Sequence, residues 1–431
     1  MQCPIAVQLN NPHAQAGVMP LQAPLPSAPA CGNHERMQCK EDAMRPLSAR
    51  TARFTDSVIR RMTRVSLRYN AVNLSQGFPD FDPPQSLLDS LASVARSGPH
   101  QYSITWGAAN FRQALAEKQS RCMGIPIDPE SDIVVTCGST EAMMTAVMTI
   151  ADPGDKIAIF SPFYENYDAD AILCGAEPVY VPLAPPDFAL DAALLEDAFR
   201  QGAKALILCN PSNPSGKVFS REELQDIAFL AQKYDAWIIT DEVYEHIVYA
   251  PWSHVYMASL PGMQERTLSC SSLSKTYSIT GWRLGYVIAP AAVTERARKV
   301  HDFLTVGAAA PLQEAALAGL RMDEGYYRDL LALYAAKREI MLGGLRSLGI
   351  PHTEPQGAYY VLLDISEYGW DSDVAFCEAL AERVGVGAVP GSSFFHEPEN
   401  RYIRLHFAKK DETLYEALDR LSSIRARMAK P

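Results

Sequence analysis

The 431-residue chain has no uninterrupted apolar run long enough to cross a bilayer, since its longest stretches, such as 133–137 and 205–209, have the length of single strands. An integral membrane protein is therefore not expected. A basic excess is also missing: a formal net charge of −11 offers no clustered Lys and Arg to hold nucleic acid or an anionic membrane surface. Paired CxxC spacings are absent, and the nine cysteines fall singly. That pattern predicts reduced thiols and a reducing compartment, the cytoplasm, in place of a disulfide framework. Cys137, Cys209 and Cys270 each close an apolar run, where a buried thiol is the commoner outcome than a metal ligand, so no metal is expected. The start shows no basic stretch leading into an apolar segment, so no secretory signal is expected. No self-similarity of about 20 to 50 residues is present, which excludes solenoids and propellers.

What is present is an ordinary globular composition, 48% hydrophobic and 21% charged, in a chain longer than one core usually supports, so two lobes are expected. Residues 1–45, rich in Pro, Ala, Gln and Asn, read as a mobile leader, with Met37 and Met44 as alternative starts. From about residue 132, β-branched runs (DIVVTC, KIAIF, AEPVYVPL, KALILC, AWIITD, RTLSCSS, RLGYVIA) alternate with helical stretches such as REELQDIAFLAQKY. This is α/β syntax, with a mostly parallel sheet flanked by helices. The last ~110 residues, with GAYYVLLDI and RYIRLHFA as strands between helices, predict a smaller α/β lobe.

The most informative segment is SLSKTYSITGWRLG, Ser272 to Gly285, which sets Lys275 after a strand with hydroxyls around it and Arg283 eight residues on. A lone lysine is ordinarily a surface amine. Here an arginine fork and the hydroxyls of Ser272 and Ser274 offer what a phosphate needs. Upstream, TCGSTEA places Gly138, Ser139 and Thr140 between a strand and a helix start, an arrangement that serves either as an N-cap or as an anion site. ITDEVY puts Asp241 at a strand end with Tyr244 after it, and CNPSNPSG is a turn-dense loop carrying Asn213.

These motifs, in this order, resemble the class I/II pyridoxal-phosphate-dependent aminotransferases, of the kynurenine, methionine and aromatic subgroup, over about residues 70–410. The resemblance implies the type I fold: a large cofactor domain over 85–320, a small domain over 321–431, and a segment 46–84 that adds to the small domain and the substrate mouth. It implies pyridoxal 5′-phosphate held by Lys275 as a Schiff base, with Asp241 on the ring nitrogen and Asn213 and Tyr244 on the phenolate oxygen. It further implies a phosphate cup of Gly138, Ser139, Thr140, Ser272 and Arg283, and Tyr164 against the ring face. Gly77 of NLSQGFPDFDPP and Arg404 of YIRLHFA would meet the substrate, Arg404 as a clamp on its α-carboxylate. Tyr102 would reach the phosphate of a second copy, making a homodimer; Trp106 stands where many relatives carry a smaller or polar residue.

The implied reaction is ping-pong exchange of an amino group between an L-amino acid and a 2-oxo acid. Absence of a second arginine motif for a dicarboxylate side chain favours neutral or aromatic amino acids. Other reactions on the same scaffold, β-elimination from cysteine conjugates or the ring closure of the ethylene-precursor synthases, use the same residues. A DNA-binding regulator built on this fold is disfavoured by the short, Pro-rich leader, and an inactive relative by the full residue set.

Overall fold

The computed structural model describes residues 47–429. The expected leader and its alternative starts lie outside them. From Ser48 onward the chain forms one compact unit. Its strands are β1 (Val72–Asn73), β2 (Ile133–Thr136), β3 (Lys156–Ser161), β4 (Glu177–Pro182), β5 (Ala203–Cys209), β6 (Trp237–Asp241), β7 (Thr267–Ser272), β8 (Gly285–Ile288), β9 (Tyr360–Asp364), β10 (Val386–Gly387), β11 (Val389–Pro390) and β12 (Tyr402–His406).

Seven of them form one sheet in the order β2-β8-β7-β6-β5-β3-β4. β3 to β7 run parallel, while β8 lies antiparallel to both β7 and β2. The sheet is mostly parallel, as its α/β syntax predicts. Alternation along each strand feeds two cores. Ile157, Ile159, Ala205 and Ile207 pack with the helices Ser139–Ile150 and Asn166–Cys174, whereas Phe160, Leu206, Leu208 and Ile238 pack with Ala192–Arg200 and Arg221–Lys233. Covered on both faces, β5 reads as the continuous run AKALILC. β4 sits at an edge, partly exposed, and there Pro178 and Pro182 interrupt no further ladder.

Helix starts are written in the sequence. Ser220 and Glu223 form a capping box at the head of Arg221–Lys233, satisfying two N–H groups that the first turn leaves free. A second sheet, β11-β12-β9, is antiparallel with β12 in the middle, so Arg404 lies between Val389 and Leu362. It shares a core with the long helix Glu324–Ser347 through Tyr334, Met341 and Leu345. β1 pairs with β10, Val72 against Val386, joining the segment after the helix Val58–Arg68 to the carboxyl-terminal third. No helix among the described residues is long and apolar enough to cross a membrane.

Candidate active site

The carboxyl ends of parallel strands share one edge of a sheet, so the loops at those ends converge. β2, β3, β5, β6 and β7 all point to that edge, delivering Gly138–Thr140, Tyr164, Asn213, Asp241 with Tyr244, and Ser272 with Lys275. β8 runs the other way, so Arg283, just before its first residue, arrives at the same edge. Ser139, Thr140, Tyr164, Asn213, Asp241, Tyr244, Lys275 and Arg283 line one cavity of about 420 Å³, together with Gly77, Tyr360 and Arg404.

One wall is the amino end of the helix Ser139–Ile150, where N–H groups and the helix dipole favour an anion. Gly138, with φ 85°, has a left-handed backbone, and a Cβ on it would collide with the Arg283 guanidinium. A Cβ on Gly285 would collide in turn with the Gly138 backbone. The two glycines thus allow the guanidinium to lie against the helix start. Arg283 donates from Nη1 to Thr280 O (3.1 Å) and from Nη2 to Cys137 O (3.4 Å), both neutral carbonyls. Ser274 lines the cavity; Ser272 is buried behind it, its Oγ accepting from the Ser274 N–H at 3.4 Å.

Lys275 donates to Gly77 O at 3.3 Å, with Nζ about 6 Å from the Tyr244 and Tyr359 ring centroids (6.0 and 5.9 Å). Burial pulls its pKa down to about 8, Arg283 and Arg404 add to the effect, and Asp241 opposes it. A half-buried amine with a lowered pKa is a usable nucleophile and base. Burial raises the Asp241 carboxyl, against which the Tyr167 O–H (2.7 Å), the Val243 N–H (3.4 Å) and Lys275 favour its ionised form. The Tyr244 hydroxyl meets that of Tyr360 at 2.9 Å, and Tyr164 stands edge-on to Tyr167 with centroids 5.8 Å apart.

Arg404 is 0% exposed. It donates to Asn213 Oδ1 (2.6 Å) and Ser75 O (2.9 Å), lies between the rings of Tyr360 and Phe394, and leaves Nε without a partner. A buried guanidinium surrounded by neutral acceptors is a site for an anion. Gly77 sits against the Tyr360 hydroxyl, where any Cβ would clash.

Tyr102 lies apart, outside this cavity and 86% exposed. Trp106 is also outside it, flanked by Arg298 and Arg112, with its indole N–H unpaired. Cys209 and Cys270 are buried and Cys137 is half-buried; among the described residues no group of three or more His, Cys, Asp or Glu is placed to hold a metal. Among the cavity residues that sequence reasoning did not assign are Tyr167, Tyr360, Glu165 and Arg60. Tyr167 and Glu165 flank Tyr164 in SPFYENY, a detectable signal; Tyr360 and Arg60 come from a strand and a helix whose local patterns carry no sign of the site.

The residues present fit pyridoxal phosphate. A half-buried amine of lowered pKa suits its aldehyde, a buried acid its ring nitrogen, and the glycine-lined cradle between Arg283 and the helix start its phosphate. Residues 69–421 match the family "Aminotransferase class I and II". The chain is 36% identical to the probable N-succinyldiaminopimelate aminotransferase DapC of Mycobacterium tuberculosis, over 87% of this chain and 98% of that protein. The structure of the M. tuberculosis N-succinyldiaminopimelate aminotransferase superposes with a TM-score of 0.85 at 36% identity, covering 88% of this chain and 100% of that one. Identity is 36% to the methionine aminotransferase of Escherichia coli (85% of this chain, 96% of that protein) and 33% to human kynurenine–oxoglutarate transaminase 1 (83% and 92%). The chain belongs to the class I and II aminotransferases. It has their type I fold and is a pyridoxal-phosphate-dependent transaminase.

Proposed function

We propose that this enzyme exchanges the amino group of a neutral or aromatic L-amino acid with a 2-oxo acid by a ping-pong route, using the residues gathered at the sheet edge. The observation that carries the reading is the half-buried Lys275 amine gathered in one cavity with Asp241, Arg283 and Arg404. Bound pyridoxal phosphate supplies the electron sink that makes the substrate Cα–H acidic. Lys275 is the amine that holds the cofactor as a Schiff base, and Asp241 keeps the ring nitrogen protonated, itself braced by Tyr167. Asn213 and Tyr244 face the phenolate oxygen and Tyr164 the ring. Gly138, Ser139, Thr140, Ser272 and Arg283 form the phosphate cup.

Arg404 takes the substrate α-carboxylate in a two-pronged grip, while Asn213 and the Gly77 backbone orient it. Lys275 Nζ would take the proton from Cα and deliver it to the cofactor carbon that bears the transferred nitrogen, the opposite transfer serving the second substrate. The side-chain pocket is aromatic, with Phe78, Tyr164 and Tyr360 on its walls, which suits apolar or ring-bearing side chains. Relatives named for methionine and kynurenine support that class. We further propose a cytoplasmic homodimer in which Tyr102 reaches the partner's cup, with residues 85–320 as the cofactor domain, 321–431 as the small domain and 46–84 closing the mouth.

The test is a panel of amino donors against 2-oxoglutarate and pyruvate, scored for the new amino acid formed. Methionine, phenylalanine, tyrosine, glutamine or kynurenine is expected to lead, and a clear preference for aspartate would sink the substrate assignment. Lys275→Ala abolishes cofactor attachment by borohydride; a cofactor that still reduces onto the protein would overturn the role of Lys275.

A further inference from the structure

Behind the proposed phosphate cup lies a pair of ionisable side chains that the transaminase reading does not use. His301, on the helix Ala291–Thr305, is fully buried, and each of its ring nitrogens faces an acceptor: Nδ1 lies against Glu141 Oε1 (2.5 Å) and Nε2 against Thr105 O (2.9 Å). A carbonyl oxygen can only accept, so Nε2 carries a proton. A second proton on Nδ1 then makes the ring an imidazolium bound to a carboxylate. Burial opposes that charge, but Glu141, the Thr105 carbonyl and Asp302 together outweigh it and raise the pKa of His301 above its ordinary 6.5. Glu141 stands in the first turn of the helix Ser139–Ile150, the turn whose N–H groups line the cup. Its Oε1 also accepts from Thr305 Oγ1 (3.1 Å), and its Oε2 accepts from the Cys137 N–H. The Cys137 carbonyl in turn accepts from Arg283 Nη2 (3.4 Å). A continuous line of contacts thus runs from Thr105 through His301, Glu141 and the Cys137 peptide to the guanidinium of the cup.

We propose that His301, as an imidazolium, is a positioning residue for the cofactor phosphate: it neutralises Glu141, so that this carboxylate holds the Cys137 peptide against Arg283 without repelling the phosphate next to it. This role rests on the cup proposed above and adds the support beneath it. A lone carboxylate in the first turn of the helix works against a dianion, whereas the ion pair keeps the brace and cancels the charge. When Nδ1 loses its proton, its lone pair faces a carboxylate oxygen, and the brace on Cys137 and Arg283 loosens. Phosphate affinity therefore falls as pH rises through the raised pKa of His301. Few other groups bear on that titration. Glu141 is the one ionisable residue of its helix, β2 and residues 103–108 carry none, and the rest are Asp302 beside His301, Arg283, and the Cys137 thiol, which burial raises.

The experiment measures equilibrium binding of pyridoxal phosphate and of pyridoxal, which lacks the phosphate, to the full-length apoenzyme from about pH 7 to about pH 9.5, where the phosphate is already a dianion. Wild type is compared with His301→Gln and with the double variant Glu141→Gln/His301→Gln. The ratio of the two affinities cancels the part played by Lys275, which meets both compounds through the same aldehyde. In wild type the ratio is expected to fall as pH rises. In His301→Gln, which leaves Glu141 charged and unpaired, it is expected to be about tenfold lower and flat across the range. The double variant, with neutral amides in place of both charges, is expected to recover most of the ratio and to stay flat. A merely structural role lowers both affinities alike. That outcome, a pH dependence that persists in His301→Gln, or a double variant as weak as the single one overturns the role of His301 while leaving the cup intact. Wild type with no preference for pyridoxal phosphate over pyridoxal would instead strike at the cup itself and take the proposal with it.

Discussion

Asp170, on the helix Asn166–Cys174, is buried with Oδ2 lacking a hydrogen-bond partner, and burial together with the nearby Asp241 pushes its carboxyl up to about 8. The unfolded chain releases this proton near 3.8, so from there to about pH 8 the folded state holds a proton that the unfolded state does not. Stability therefore falls as pH rises through that window and levels off above it. Asp170→Asn removes the penalty: urea melts are expected to show a gain of up to about 5 kcal/mol at pH 8 and almost none at pH 4. Equal gains at both values would rule out ionisation as the cause. At this scale the sequence was legible where chemistry and turn signals coincide. Lys275, Asp241, Asn213 and Arg283 each stand just beyond or beside an apolar run in a dense polar motif, and the structure gathers them. Asp170, Arg60 and Tyr360 were silent, because they sit inside helical or strand patterns and only tertiary packing brings them near the cavity.

Among elements, the segment from Asp241 to Tyr244 owes its placement to its next residue. Glu245 is buried and accepts from Tyr256 O–H (2.7 Å), Gln119 Nε2 (3.1 Å) and Lys118 Nζ (3.3 Å), tying the end of β6 to the helix Ala109–Met123. Burial would raise the Glu245 carboxyl, but Lys118 and then His246 outweigh it and hold it down at about 2. The stabilisation it gives is thus present above its ordinary value of 4.5 and is lost only as pH falls through about 2. Glu245→Ala leaves Lys118 charged and unpaired, and denaturation is expected to show a loss of about 3–5 kcal/mol. Pairing it with Lys118→Met is expected to recover much of that loss; a double variant as weak as the single one would dissolve the coupling. Strand and helix positions were readable from period and caps, as at Ser220 and Glu223. The reversed direction of β8 was not, because RLGYVIA has the same pattern whichever way it runs, and its neighbours in the sheet decide.

For the whole molecule, the exposed apolar side chains are the telling feature. Tyr102 at 86% and Phe303 at 92% exposure stand with Ile104, Leu304 and Val306 on two segments joined by a hydrogen bond between His301 Nε2 and Thr105 O (2.9 Å). Such a concentration of exposed apolar side chains fits the homodimer proposed above. Sedimentation is expected to give a particle of two 47.4 kDa chains, and Phe303→Glu to shift it to one chain with weakened cofactor retention. A variant that stays dimeric would move the interface to another face.

The position of Arg404 in the middle strand of the last sheet has a consequence for biosynthesis. Chains grow from the amino end, and every residue assigned to the cofactor precedes position 284, whereas the substrate grip arrives more than a hundred residues later. A nascent or truncated chain ending before β12 carries the amine, the acid and the residues of the proposed phosphate cup but lacks the guanidinium proposed to grip the substrate carboxylate. In the proposed assignment, the lysine that would carry the cofactor is thus synthesised well before the arginine that would let it act on a substrate.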